Sequence, residues 1–289
     1  MPNTFLKPNI IAREALMLLR NSAVMANLVH RDYSSDFVAG VGDTITIRKP
    51  ATFTAKEFEN KIELQDASET SATIVMDKLI DVSFAVTSEQ MTMDIENFSR
   101  QLIVPAMQAF ADKVDKYLIA LEKDITENRV SHESGPVTPA DIIAARKLLG
   151  DNAAPLSGRN LVLGTAAEAD LLSTELFVSA EKVGDSGTAL REASLGRKFG
   201  FDTYVDQNIA KATYTPAIAF HKNAFAFVTR PLALPQGANE AAIVDYDGFG
   251  LRVVYDYDIQ TKQDIVSIDM LCGVKTLDKR LAAVIEDKR

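Results

Sequence analysis

Apolar and polar residues alternate along one stretch of this chain and recur every three or four residues along two others. Ile80, Val82, Phe84 and Val86 fall on one side of an extended segment, with Asp81, Ser83, Ala85 and Thr87 on the other. That is the period-two signature of a strand with one buried face. An earlier strand, GDTITIRKP (42–50), is separated from it by the polar, mostly acidic ATFTAKEFENKIELQDASET (51–70). Together they predict a projecting hairpin over 42–90 whose tip has no apolar face. A two-stranded ribbon is marginal alone in water, so it is expected to find its stabilising surface on a partner.

Helical spacing marks two segments. In 8–30, Ile11, Ala15, Leu18, Ser22, Met25 and Val29 recur on one face, with Pro8 at the first helical position. In 94–127, Ile95, Phe98, Leu102, Ala106, Phe110, Val114, Leu118, Leu121 and Ile125 follow the same steps. Asp94 and Glu96 near the start and Lys123 near the end suit the helix dipole. Pro105 should kink or divide this helix. A helix over the whole segment is about 50 Å long, the width of a compact globule of this size, so it is expected to act as a strut.

Residues 135–240 read as a separate α/β region. Thr138, Pro139 and Asp141 start a helix that stops at Gly150. A short buried strand, Leu161–Leu163, runs into Thr165-Ala166-Ala167-Glu168, which has the form of a capping box. The Gly- and Ser-rich stretch 181–200 predicts a mobile loop, and apolar strands are expected at 201–205, 217–220 and 224–228. The chain then forms a hairpin. Leu251, Val253, Tyr255 and Tyr257 share one face, and after a turn at 260–263, Val266, Ile268, Met270, Cys272 and Val274 share another. The class is α+β, with helices segregated from antiparallel sheets.

Composition narrows the function. No apolar run approaches the roughly 18 residues of a membrane span. The start, MPNTFLKPN, lacks the pattern of a secretory signal. A single cysteine, Cys272, forbids an internal disulfide and suits a reducing cytoplasm. Of the net charge of −9, residues 51–100 contribute −6, whereas residues 1–50 carry +2. No Lys/Arg stripe suits sequence-specific nucleic-acid binding. The asymmetry fits an acidic loop of one subunit lying over a basic arm of another, and fits a merely solvated acidic loop as well.

Chemical motifs are weak. Gly184-Asp185-Ser186-Gly187 resembles the nucleophile segment of trypsin-like proteases. Its upstream histidines, however, are His30 in the leading helix and His132 in a polar linker, with no double β-barrel to orient them. Asp245, Asp247 and Gly250 have the spacing of a calcium loop, but Phe249 stands where an oxygen ligand is needed and Asp256 replaces the bidentate glutamate. His30, His132 and His221 are too scattered for a metal cluster. Gly40-Val41-Gly42 precedes a strand, whereas a dinucleotide fingerprint follows one. Cys272, on an apolar strand face, reads as an inert thiol. The expectation is no catalytic residue, no cofactor and no metal.

The order of parts is a leading helical arm, extended hairpin, long helix, α/β lobe and terminal hairpin. It resembles the major capsid protein of tailed double-stranded-DNA bacteriophages over essentially the whole chain. The stretches that carry the resemblance are Pro8–Arg31, Gly42–Pro50, Ile80–Glu89, Leu161–Ala166, Ser194–Asp202 and Ile268–Lys275. The resemblance implies an N-terminal arm (1–41), an extended loop (42–78), a peripheral domain with a spine helix (79–135), an axial domain (136–245) and a return to the peripheral domain (246–289). Arm and loop would reach over neighbouring subunits.

The same likeness implies a virion capsid of pentamers and hexamers, an icosahedral shell assembled in the bacterial host cytoplasm around double-stranded DNA held by nonspecific contact. A portal and, because the arm starts at once, a separate scaffolding protein are the expected partners; no membrane is. Some members weld subunits through a Lys–Asn bond. Lys56 and Lys61 would offer the amine, but 251–289 contain no Asn, so a noncovalent shell is expected. Acidic Glu57, Glu59 and Glu63 are expected to face Arg13, Arg20, Arg31, Arg48 or Lys49 of a neighbour. Two alternatives stay open: an encapsulin-type compartment of the same fold, and a soluble α+β enzyme using 181–200 as a lid.

Overall fold

A computed structural model describes residues 8–31, 44–49, 57, 70–87, 102–133, 135–178, 195–209, 216–237, 240–246 and 248–288. Its first helix, α1 (Pro8–Ser22), buries Ile11, Ala12, Ala15, Leu16 and Leu19 and leaves Ile10, Arg13, Met17 and Arg20 exposed. The buried face packs on α3 (Val104–Ile119) and on strands β10 (Glu240–Tyr246) and β11 (Phe249–Asp258) of the same chain. Each large side chain so buried contributes about 1.5–3 kcal/mol. This helix is therefore docked on its own subunit, on elements far from it in sequence.

The single helix expected over 8–30 is broken at Ala23–Val24 and resumes as the one-turn α2 (Met25–Leu28). Asp115 of α3 accounts for the break. Its carboxylate accepts from the amides of Val24 at 2.8 Å and Ala26 at 3.1 Å, donors that a continuous helix would use internally. His30 lies past the helix, bridged to Ala226 by backbone hydrogen bonds to Phe225 and Phe227.

The described spine, α3, buries Ala106, Met107, Phe110, Ala111, Val114, Leu118 and Ile119. Pro105 lies in its first turn, directly after the π-helical residues Leu102 and Ile103, so the helix changes form at the proline. Its 16 residues make about 24 Å of α-helix. It tightens into a 3-10 turn at Ala120–Asp124 before residue 127. The start expected at Asp94 and Glu96 lies outside the described residues.

Two sheets form the body. One runs β10–β11–β12–β3, where β12 is Gln263–Thr276 and β3 is Lys78–Thr87, and β9 (Phe225–Arg230) also pairs with β12. Its buried face, with Val253, Val266, Ile268, Met270 and Cys272, shares one core with α1 and α3. The hairpin alternation at 251–274 holds, with the turn at Ile259–Lys262, one residue earlier than expected. Ile80 and Val86 are buried and Asp81, Ser83 and Ala85 exposed, as the period-two pattern requires. However, β3 belongs to this body sheet, and only the segment before Met76 belongs to the ribbon.

The second sheet runs β4 (Arg129–Glu133), β13 (Ala282–Lys288), β8 (Ala217–His221), β5 (Arg159–Leu163), β7 (Phe201–Val205), β6 (Arg197–Lys198). Two of its pairings, β13–β4 and β5–β7, are parallel, so this sheet is mixed. Four strands also depart from the expected segments: β9 and β10 join the hairpin sheet, and β4 and β13 join the lobe sheet. Here α4 (Pro139–Asp151) begins with the Thr138/Asp141 capping box and ends one residue past Gly150. At α5 (Thr165–Leu172) no such box forms. Gly164 is the N-cap and Thr165 already lies inside the helix. Of the mobile loop expected at 181–200, residues 181–194 lie outside the described residues, and 195–200 hold buried Leu195 and strand β6 instead.

Candidate functional site

Strands β1 (Thr44–Lys49) and β2 (Thr70–Val75) pair antiparallel, Thr44 opposite Val75 and Lys49 opposite Thr70. Among the described residues they form a sheet of their own, with no third strand. The root has an apolar seat. Ile74 and Met76 are buried against Ala226 and Val228, while Thr44, Thr46, Ser71, Thr73 and Val75 are exposed.

The seat depends on Gly273 of β12: a Cβ there would lie 2.5 Å from the Val75 carbonyl oxygen. A glycine inside a strand signals close approach of another backbone, so this contact was readable in the sequence, though it was not expected there. Arg48 and Lys49 stand at the end of β1 away from the root. Glu57 is exposed, and Lys56, Glu59, Lys61 and Glu63 lie outside the described residues.

The outward face of α1 carries a second exposed set. Ile10 is 51% and Met17 66% exposed, flanked by exposed Arg13 and Arg20. The third basic residue expected at an intersubunit contact, Arg31, is half-buried. Its guanidinium stacks 4.8 Å over the Phe249 ring and donates to Asn27 at 3.5 Å, so it is already engaged within its own subunit.

The open face of the hairpin sheet is polar and structured. Arg252 of β11 holds Asp269 of β12 through Nε and through Nη2 at 2.6 Å. Asp269 stands directly opposite Asp81 of β3, which accepts from the hydroxyls of Ser83 and Ser267. Like charges on facing positions repel, and the guanidinium and hydroxyls offset that repulsion. Period-two spacing places Arg252 and Asp269 outward, but pairing them needs the exact turn length, which spacing alone does not supply.

Nothing here is arranged for bond-making. Cys272 is buried, and burial pushes its thiol up to about 12, far from a nucleophile. Burial lowers the His221 pKa, and its Nδ1 accepts from the Asn223 amide. Among the described residues no group of His, Cys, Asp and Glu could hold a metal. Asp245 lies on β10, while Gly184–Gly187, Gly40–Gly42 and Asp247 lie outside the described residues.

A spine helix packed on a long hairpin sheet, a mixed-sheet lobe and a detached two-stranded ribbon define a shell-forming architecture. The phage capsid protein family model matches residues 70–266, well over half of the chain, and the chain belongs to that family. It is a structural protein with the α+β fold of tailed-phage capsids, and not an enzyme.

Solved structures with the same fold include that of Mycobacterium phage Che8, at 20% identity and a TM-score of 0.65, covering 91% of this chain and 90% of that one. The capsid of the cyanophage P-SCSP1u matches at 12% identity and 0.62, covering 86% and 84%. A virus-like particle from Pyrococcus furiosus matches at 12% identity and 0.53, covering 96% and 98%. No curated protein sequence matches the chain.

Proposed function

We propose that copies of this chain close into an icosahedral shell of pentamers and hexamers that encloses phage double-stranded DNA, each subunit laying its ribbon on a neighbour. The observation that carries this reading is the ribbon itself, a two-stranded sheet that no third strand joins among the described residues. Closed symmetry then adds many modest contacts without leaving an open edge. A separate scaffolding protein and a portal are the proposed assembly partners in the host cytoplasm, and contact with DNA is nonspecific.

The proposed intersubunit pairing sets the acidic segment holding Glu57, Glu59 and Glu63 against basic residues. Arg13 and Arg20 on the exposed face of α1, and Arg48 and Lys49 at the far end of β1, are the candidates; Arg31 is the weakest because it stacks on Phe249. Reversing the charge of Glu57, Glu59 and Glu63 together should abolish most particle formation while the subunit keeps its thermal transition. Normal particle yield from that variant would overturn the pairing.

The match to the Pyrococcus furiosus virus-like particle supports a second reading, a protein compartment of encapsulin type. The contents of purified particles decide between them: DNA supports the first reading, cargo protein the second.

A further inference from the structure

The two layers around the main core end in outer faces of opposite charge. Helices α1 and α3 pack side by side over the buried face of the hairpin sheet. Among the described residues, their outer faces and the 3-10 turn after α3 expose five basic side chains, Arg13, Arg20, Lys113, Lys116 and Lys123, against one acidic one, Asp112. Glu14 and Asp124 are half-buried there, and Glu122 is buried. On the far side of the sheet, the paired rows of β10, β11, β12 and β3 put Asp81, Asp245, Asp256, Asp258 and Asp269 on the open face, with one basic residue, Arg252. Five charges against one leave +4 on the helix face and −4 on the sheet face, in a chain whose net charge is −9.

The three spine lysines keep their charge. Lys113 lies 5.1 Å from the centroid of the Tyr117 ring, a contact that orders the side chain without neutralising it. Lys116 and Lys123 form no salt bridge among the described residues. Lys78 also reaches the Tyr117 ring, but its pairing with Asp77 at 2.7 Å cancels its charge. Steps of three and seven residues set Lys113, Lys116 and Lys123 along one face, about 15 Å from first to last. Exposed Ala109 and Ala120 beside them leave room for a broad rod to approach. Duplex DNA carries one charge per roughly 1.7 Å of its axis, so this face spans about nine phosphates. The exposed positions of α3 include no aromatic side chain and no arginine, so the face can hold phosphates but has nothing to read base edges.

We propose that this helix face, centred on Lys113, Lys116 and Lys123, is the inner wall of the shell and lies along the packaged duplex, ammonium groups against phosphates, with the acidic open face of the hairpin sheet turned outward. The proposal rests on the shell reading above and adds to it the side of the subunit that meets DNA. A polyanion is drawn to the one face and repelled by the other, so charge alone orients the subunit. Screening confines the attraction to about 10 Å at 0.1 M salt, the reach of side chains that line the wall itself.

Fluorescence anisotropy of a labelled random-sequence duplex, titrated with the unassembled full-length chain between about 50 and 200 mM salt, tests this. Each lysine on a phosphate contributes about one unit to the slope of log K against log salt. Lys113→Gln/Lys116→Gln/Lys123→Gln should therefore make the slope shallower by about three; Arg13 and Arg20 stay unaltered because the loop pairing draws on them. Ala109→Lys should steepen the slope by about one, a gain that misfolding does not imitate. Lys147→Gln/Lys275→Gln/Lys279→Gln removes the same charge from exposed positions elsewhere and should leave the slope unchanged. Electron microscopy of the same proteins scores shell formation separately. Wild-type shells with an unchanged slope in the spine variant, or with an equal loss in the control, would overturn this face and leave the shell reading standing. An unchanged slope with lost shells would make the face an intersubunit contact and overturn the assignment as well. A wild type that forms no shells would sink the shell reading and this assignment with it.

Discussion

The Arg252 side chain decides how the hairpin sheet tolerates its own acids. Asp269 is only 5% exposed and pairs with the guanidinium at 2.6 Å. Removing one member of a partly buried pair leaves the other uncompensated, at a cost of about 3 kcal/mol. Arg252→Ala is expected to destabilise the subunit by that amount in chemical denaturation, more than its loss of packing explains. An Arg252→Met/Asp269→Leu double variant should recover most of it, because no charge is then stranded. Equal losses in the single and double variants would mean that the pair contributes packing alone.

At the scale of elements, the ribbon root and the α1 docking surface set what the subunit can do alone. Gly273→Ala is expected to displace β2, since its methyl would meet the Val75 carbonyl. Exchange protection at residues 72–75 should drop while the hairpin sheet keeps its own; unchanged protection would show that the root yields without cost.

Elements with strict periodicity were legible in the sequence: the 251–274 hairpin, the Thr138 cap and the faces of β3 all stand where alternation or capping chemistry put them. What failed depended on distant partners. The break after Ser22 needs Asp115, 91 residues away. The assignment of β3 to the body sheet needs β12, nearly two hundred residues further on. The box at Thr165 failed because Gly164 took the cap, a choice that local sequence does not separate. The candidate contacts at Arg13 and Arg20 were legible as exposed helix positions, whereas the packing of Arg31 on Phe249 was not, because it joins residues far apart in the chain.

Among the described residues, two large hydrophobic cores form the body of the molecule, and the β1–β2 ribbon makes a sheet of its own beside it. One hydrophobic core takes side chains from both sheets, Ile218, Phe220 and Val284 of the lobe beside Val253, Ile268 and Met270 of the hairpin sheet, so the subunit is a firm block rather than two loosely joined parts. The exposed apolar residues Ile10 and Met17 and the ribbon lie outside that block. A firm block with an unsupported ribbon suits assembly by repetition, where each copy supplies the surface that another lacks. Electron microscopy of the purified full-length chain tests this most directly. Closed shells, in which residues 44–49 and 70–75 of each subunit lie against a neighbour, are the expected result. A monomer or small discrete oligomer, with that ribbon folded onto its own subunit, would contradict the account.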